Sequence, residues 1–178
     1  MLFYDGVNSL VMNAASVFVP YRFMSMEEKM VTYDDLNSQN DKITELSHVL
    51  NKLLSDRGLC DSNVTCDLFF QYVETVQDHL KLEDRHIYRQ MLTHRDQDVR
   101  NTATKFMSGQ VEIKRVFASY LRKWCKKRGH ELKISDYEQF AKETDEMFEL
   151  VLDRIQDESE NLFPLLREIT GENHLLVA

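Results

Sequence analysis

The 178-residue chain contains only two prolines and five glycines, the residues that most often interrupt regular structure. Such scarcity argues against a fold made of many short strands and tight turns. Leucine, glutamate, lysine, glutamine and methionine, which favour helices, are abundant instead. The composition therefore predicts an all-α protein with long helices and few turns.

Positive charge is also in short supply. The chain carries 22 lysines and arginines against 30 aspartates and glutamates, a formal net charge of −8. Because phosphate contacts need local positive potential, we expect no binding of nucleic acid. The three cysteines, Cys60, Cys66 and Cys125, lack the spacing of metal ligands and fit the reduced thiols of a cytoplasmic protein.

The sequence has no apolar run long enough to span a bilayer. The most apolar stretch, residues 7–19, is too short and includes Asn8 and Asn13. It also lacks the basic segment that precedes the apolar part of a secretory signal. We therefore expect neither membrane insertion nor secretion.

Residues 5–19 have the pattern of a short amphipathic helix that ends before Pro20. Residues 1–31 are accordingly predicted to form an N-terminal amphipathic helix and a linker. Two roles for its apolar face stay open. It covers one end of the domain, or it forms a homodimer with the same segment of a second chain.

Four longer helical patterns follow, over about 32–56, 62–92, 99–127 and 135–171, and leave 172–178 as a C-terminal tail. Thr32 with Asp35, and Ser135 with Glu138, have the spacing of capping boxes at helix starts. Short connections force neighbouring helices to run antiparallel. Residues 32–171 are therefore predicted to form an antiparallel up-down-up-down four-helix bundle.

Each predicted helix has a polar residue near the middle of its inward, otherwise apolar stripe. Burying ionisable groups without partners is costly, so these side chains should pair with one another. In particular, we expect Arg154 to bridge Glu83 and Glu158. The polar core predicted from the four stripes consists of Asn40, His79, Glu83, Gln110, Arg154 and Glu158.

The second and fourth helices resemble the hemerythrin-like family of four-helix bundles. In that family each of these helices carries a His-x-x-x-Glu motif. The second helix here keeps His79 and Glu83, whereas the fourth has Arg154 and Glu158. The string 162–166, Leu-Phe-Pro-Leu-Leu, is similar to the family's Leu-Phe-Pro signature. The resemblance covers about residues 32–170 and implies a bundle built around a di-iron site.

The departures from the family pattern decide the functional prediction. The family has histidines on the first and third helices, where this chain has Asn40 and Gln110. Amides are poor iron ligands. On the fourth helix, Arg154 places a permanent cation where the family motif has its histidine. We therefore predict no metal cofactor, with Arg154 supplying the positive charge instead. If a metal does bind, its ligands would be His79, Glu83 and Glu158.

The fourth helix is also similar to that of the Rsd/AlgQ anti-sigma regulators, through Tyr137, Phe140, Arg154 and Glu158. The two resemblances together imply a bacterial, non-enzymatic regulator that acts through a protein partner on the transcription or signalling machinery. No nucleophilic triad, phosphate loop or dinucleotide motif points to an enzyme. The alternative is an oxygen or redox sensor that binds iron through the reduced ligand set.

One basic segment interrupts the acidic sequence at the end of the third helix. A solvated helix end is one interpretation, since cations suit the C-terminal dipole. The other is a docking patch for an acidic partner, with Trp124 as its anchor. The candidate patch consists of Arg122, Lys123, Trp124, Lys126, Lys127 and Arg128.

Overall fold

A computed structural model describes residues 31–126 and 130–171 of the chain. Its helices are α1 Tyr33–Leu54, α2 Asn63–His86, α3 Tyr88–Leu92, α4 Gln97–Trp124, α5 Tyr137–Asp157 and α6 Phe163–Thr170. No helix in this part of the chain is both long enough and apolar enough to cross a membrane. The helix predicted within residues 5–19 and the tail 172–178 lie outside the described residues.

The long helices form a bundle in which α1 contacts α2 and α5, and α4 contacts α5. The Tyr137 hydroxyl, at the start of α5, donates to the carbonyl of Ser55 just after the end of α1, at 2.5 Å. The indole of Trp124, at the end of α4, donates to Glu143 near the start of α5. Neighbouring helices therefore run antiparallel, and the predicted all-α four-helix bundle is confirmed.

The N-terminal cap of α1 is the one that the sequence predicts, whereas that of α5 is a different residue. Thr32 accepts from the Asp35 N–H at 3.1 Å while the Asp35 carboxylate accepts from the Thr32 N–H at 3.0 Å, which is the predicted capping box. At α5 the N-cap is Asp136, whose carboxylate accepts from the Gln139 N–H at 3.1 Å. The capping box predicted for Ser135 is therefore wrong, because the next residue provides an equally good capping oxygen.

The last predicted helix is not a continuous α-helix. The Phe163 N–H donates to the carbonyl of Glu158, which makes Glu158–Leu162 a π-helical segment between α5 and α6. Pro164 has no N–H, and its ring would clash with the carbonyl of Glu160 in an unbroken α-helix. One wider turn relieves that clash. The predicted second helix is likewise interrupted at Ile87, between α2 and α3.

The core contains two apolar clusters separated by a polar layer. Along α1, Leu36 belongs to one cluster and Ile43 to the other, with the buried Asn40 between them. In the other three chain segments of the bundle a buried polar residue likewise separates the two clusters, namely Glu83, Gln110 and Glu158. The polar residues of the four stripes thus lie at one depth in the bundle, where water is excluded.

Candidate functional site in the polar core

Six polar side chains from the long helices and the π-helical segment meet at the middle of the bundle. Arg154 is 9% exposed, and the others are at most 3% exposed. They are Asn40 from α1, His79 and Glu83 from α2, Gln110 from α4, Arg154 from α5 and Glu158 from the π-helical segment. These are the residues predicted for the polar core, and the structure brings all of them together.

Arg154 lies between the two buried carboxylates. Its Nη2 is 3.1 Å from Oε1 and 3.3 Å from Oε2 of Glu83, and its Nε donates to Oε1 of Glu158. Both contacts are ion pairs between side chains that are almost fully buried. The predicted bridge from Glu83 to Glu158 through Arg154 is therefore present.

Further contacts satisfy the rest of the Arg154 guanidinium. Nη1 donates to the carbonyl of Phe106 at 2.9 Å, and Nη2 donates to the Tyr88 hydroxyl at 2.6 Å. The guanidinium carbon lies 4.6 Å from the centre of the Phe106 ring, in cation–π geometry. A Cβ added at Gly109 would lie 3.4 Å from Nη1, so α4 passes close to the cation at a residue without a side chain. Because each of its nitrogens has an acceptor, the cation tolerates burial.

His79 supplies a second group that balances the carboxylates. Its Nε2 lies 3.0 Å from Oε2 of Glu158, and its Nδ1 lies 3.1 Å from Oε1 of Gln39. Both ring nitrogens thus face oxygen acceptors, which favours the doubly protonated, cationic form. Burial by itself lowers the pKa of His79, but the hydrogen bond and the negative charge of Glu158 outweigh burial and raise it.

The side-chain amides of Asn40 and Gln110 also direct N–H donors at the carboxylates. Nε2 of Gln110 donates to Oε2 of Glu83 at 3.2 Å and to the carbonyl of Leu80 at 2.9 Å. Nδ2 of Asn40 lies 3.5 Å from Oε2 of Glu158. Each carboxylate oxygen therefore faces at least one hydrogen-bond donor.

The carboxylates respond differently to burial. Burial by itself raises the pKa of Glu158, but its bonds to His79 and Arg154 outweigh burial and hold the pKa below its ordinary value. For Glu83, burial and the nearby charge of Glu158 outweigh Arg154 and raise the pKa from 4.5 to about 7. Near neutral pH, the core therefore holds an ionised Glu158, a partly ionised Glu83 and the cations that balance them.

This donor set does not fit the di-iron centre implied by the resemblance. His79, Glu83 and Glu158 each offer a ligand atom, and these atoms lie within 4.8 Å of one another, so the three could surround one metal ion. The guanidinium of Arg154 already pairs with both carboxylates, and it cannot release its charge by deprotonation. Two metal ions would also need further imidazoles, whereas Asn40 and Gln110 offer amides.

The structure contradicts the predicted role of Trp124 as the anchor of the candidate docking patch. Trp124 is 1% exposed, and its Nε1 donates to Glu143 at 2.8 Å. A buried side chain cannot anchor a partner, so the proposed role of Trp124 is wrong. Trp124 follows the buried Tyr120 by one helical turn, so it lies on the inward stripe of α4. This position determines its burial, despite the basic residues next to it in sequence.

The cations of the patch remain at the surface, but two of them have partners within the chain. Lys123 pairs with Glu143 at 2.6 Å, and Lys126 pairs with Glu131. Arg122 is exposed. The patch members Lys127 and Arg128 lie outside the described residues.

Comparison with known proteins identifies the domain. A family model described as the hemerythrin HHE cation binding domain matches residues 31–166, which include the whole polar core. No curated protein and no solved structure matches the chain. The likeness to Rsd/AlgQ regulators stays a resemblance. The chain belongs to the hemerythrin HHE cation-binding domain family.

Proposed function

We propose that this member of the family is a non-enzymatic regulatory module that works by binding another protein and needs no metal. One observation carries the proposal, namely the Arg154 guanidinium that bridges Glu83 and Glu158 in the buried core. In this proposal the protein acts in the cytoplasm, on the transcription or signalling machinery. The resemblance to anti-sigma regulators suggests that setting.

The electrostatics of the core support metal independence. Two carboxylates at one depth in an apolar bundle require nearby positive charge, because isolated buried charges are strongly disfavoured. Arg154 and His79 supply that charge from within the chain. A divalent ion placed among the same oxygens would have to displace a guanidinium with several hydrogen bonds, and it would repel that cation at short range.

The closure of the core supports a role without catalysis. His79, Glu83 and Glu158 are at most 1% exposed, so a substrate has no direct access to these ionisable groups from solvent. Their hydrogen bonds are to one another, to the backbone and to neighbouring side chains such as Gln39 and Tyr88, which is typical of a structural network. We therefore assign the buried ion pairs of the core to stability and place partner binding on the outer surface of the bundle.

An iron-binding oxygen or redox sensor is the second candidate function. The observation that favours it is the group formed by His79, Glu83 and Glu158, whose ligand atoms lie within 4.8 Å of one another. Such a sensor would bind one metal ion through an imidazole and two carboxylates, after Arg154 had moved away. The metal content of the purified protein distinguishes the two candidate functions. Binding of a protein partner is a second property that distinguishes them.

Affinity capture from native lysate tests the proposed function. With the full chain as bait, we expect recovery of a specific protein in a stoichiometric amount. Its recovery should be the same with and without a strong chelator, because the core contains its own cations. Recovery that is lost on chelation would favour the sensor, and capture no greater than that of an unrelated helical bundle would contradict the proposal.

The exposed cations at the end of α4 are the first surface to test. If an acidic partner docks there, Arg122→Glu combined with Lys126→Glu should reduce partner recovery by about tenfold or more, most strongly at low salt. Both residues are exposed, so the fold should be kept, because the only pair lost among the described residues is the surface pair of Lys126 with Glu131, and such pairs contribute little.

A matched control for these charge reversals lies on the same helix. Lys105→Glu combined with Arg115→Glu makes the same charge change at exposed positions nearer the start of α4. We expect the control protein to keep its partner. Equal recovery with both double variants would show that the end of α4 is an ordinary solvated helix end.

A further inference from the structure

A surface pocket lies directly outside the polar core, between α1 and the end of α5. Its volume is about 380 Å³, near the lower end of the range for small-molecule sites. Its lining includes apolar and polar side chains, among them Asn40, Asp41, Leu152, Ile155, Gln156 and Ser159. The π-helical segment supplies Ser159, so the widened turn forms part of the wall.

One residue that lines this pocket, Asn40, has an unsatisfied hydrogen-bond acceptor. Asn40 is 3% exposed, and its Nδ2 lies 3.4 Å from Oγ of Ser159 and 3.5 Å from Oε2 of Glu158. Its Oδ1 is buried and has no hydrogen-bond partner among the residues that the structure describes. Exchanging the two amide atoms would place that oxygen against the Glu158 carboxylate, so the observed orientation is the favourable one.

The remaining polar groups of the pocket also favour a hydrogen-bond donor. The Ser159 hydroxyl donates to the carbonyl of Ile155 at 2.9 Å, and its oxygen, which already faces Nδ2 of Asn40, keeps one lone pair for a further donor. The Gln156 amide nitrogen donates to Glu160 at 2.8 Å, which leaves the amide oxygen as an acceptor. Asp41 adds a carboxylate at the rim. Ser159 and Gln156 are exposed, so they can rotate to admit a donor towards Asn40.

We propose that this pocket binds small primary amines in their ammonium form. The three N–H donors of a primary ammonium match the acceptors of Asn40 and Ser159, and its charge matches Asp41. A short alkyl chain would lie against the apolar side chains of Leu152 and Ile155. This binding site goes beyond the proposed regulatory function, since it does not depend on the identity of a protein partner.

Butylammonium chloride is a suitable probe for the full chain. We expect saturable binding, with a Kd on the order of 1 mM for a ligand of this size. 1-Butanol and butyrate have the same chain length without the cation, and tetramethylammonium has the cation without N–H donors. Each should bind at least about tenfold more weakly, because a charged donor is replaced or removed. Titration followed by backbone NMR gives both the affinity and the residues that shift.

Two variants test the contacts. Asn40→Leu should weaken binding of butylammonium by about tenfold or more, and Asp41→Asn, at an exposed position that leaves the core intact, should weaken it severalfold. Asp34→Asn makes the same charge change on an exposed residue of α1 that does not line the pocket, and it should have no effect.

Three results would overturn the proposal. They are equal affinity for butanol or butyrate, unchanged binding in folded Asn40→Leu and Asp41→Asn proteins, or no saturable shift at all. The last would show that water alone satisfies Asn40. Because the measurement uses the isolated protein, these results are independent of partner capture, and failure of one proposal leaves the other testable.

Discussion

Arg154→Met is expected to destabilise the protein by about 3–5 kcal/mol near neutral pH. The substitution keeps an unbranched apolar stem, as in arginine, but removes the guanidinium that pairs with Glu83 and Glu158. Both carboxylates are fully buried, so water cannot replace the missing cation. The carbonyl of Phe106 and the hydroxyl of Tyr88 would lose a hydrogen-bond partner as well.

The loss of stability in the Arg154→Met protein should depend on pH in a defined direction. Burial and Glu158 already raise the pKa of Glu83 to about 7, although Arg154 opposes them. Without Arg154, the folded-state pKa of Glu83 rises further, and that of Glu158 rises because one of the two partners that hold it down is lost, whereas their unfolded-state values are unchanged. A carboxyl with a raised folded-state pKa stabilises the fold below its unfolded-state pKa, and this contribution is lost as the pH rises through the folded-state value. The deficit of the variant should therefore be small near pH 5 and largest above about pH 7.

Denaturant unfolding of both proteins at about pH 5 and about pH 8 measures this effect. Arg115→Met is the matched control, because Arg115 forms an ion pair with Glu112 on the surface of α4, with Nη2 and Oε1 2.6 Å apart. Exposed pairs contribute little, so the control should unfold like the parent. An Arg154→Met protein as stable as the parent at both pH values would show that the cation is not needed in the core.

Arg154→His is expected to create binding of about one divalent transition-metal ion per chain. An imidazole can be neutral and can coordinate a metal, whereas a guanidinium does neither. The new side chain would join His79, Glu83 and Glu158, whose ligand atoms are already within 4.8 Å of one another. Two imidazoles and two carboxylates are a suitable set for zinc, cobalt or iron. Asn40 and Gln110 remain amides, so a second ion is not expected.

Cobalt titration followed by visible absorption measures the binding, and an increase in Tm with zinc measures its coupling to folding. Arg154→Met serves as the control here, because it removes the same cation without adding a ligand. Comparable cobalt binding by both variants would show that the residue at this position does not decide metal binding. An Arg154→His protein that folds but binds no cobalt would contradict the view that Arg154 blocks a latent site.

The polar layer could be predicted because its signal lies in the spacing of residues along each helix. Polar positions on otherwise apolar stripes at Asn40, His79 and Gln110 must be buried whatever the exact path of the helices. The alignment of Arg154 with Glu83 across two helices came from the family motif, since spacing along one helix says nothing about depth in its neighbour.

Other contacts of the site were not predictable from residue patterns. The carbonyl of Phe106 accepts from Arg154, and a backbone carbonyl has no signature in the sequence. Gln39 bonds to His79 although it lies one residue before the inward position of α1, which only the placement of the neighbouring helix determines. Tyr88 follows an interruption of the helix at Ile87, for which the sequence shows no breaker.

Two features of the bundle follow from helix geometry more than from the local composition. The basic neighbours of Trp124 suggested an exposed anchor, but its place on the inward stripe of α4 determines its burial. Pro164 belongs to the string that resembles the family signature, and its missing N–H also explains the π-helical segment before it. In both cases the geometry of the helix predicts the structure better than composition does.

The central claim is that Arg154 takes the place of the metal in this bundle. The metal content of the parent protein tests this claim most directly. The full chain would be expressed with added iron, zinc and manganese, purified both aerobically and anaerobically, and analysed for metals against protein concentration. Because Arg154 and His79 already balance the two carboxylates, the account predicts far less than one metal ion per chain under either condition. One or two ions per chain, retained through purification and lost on substitution of His79 or Glu83, would contradict it.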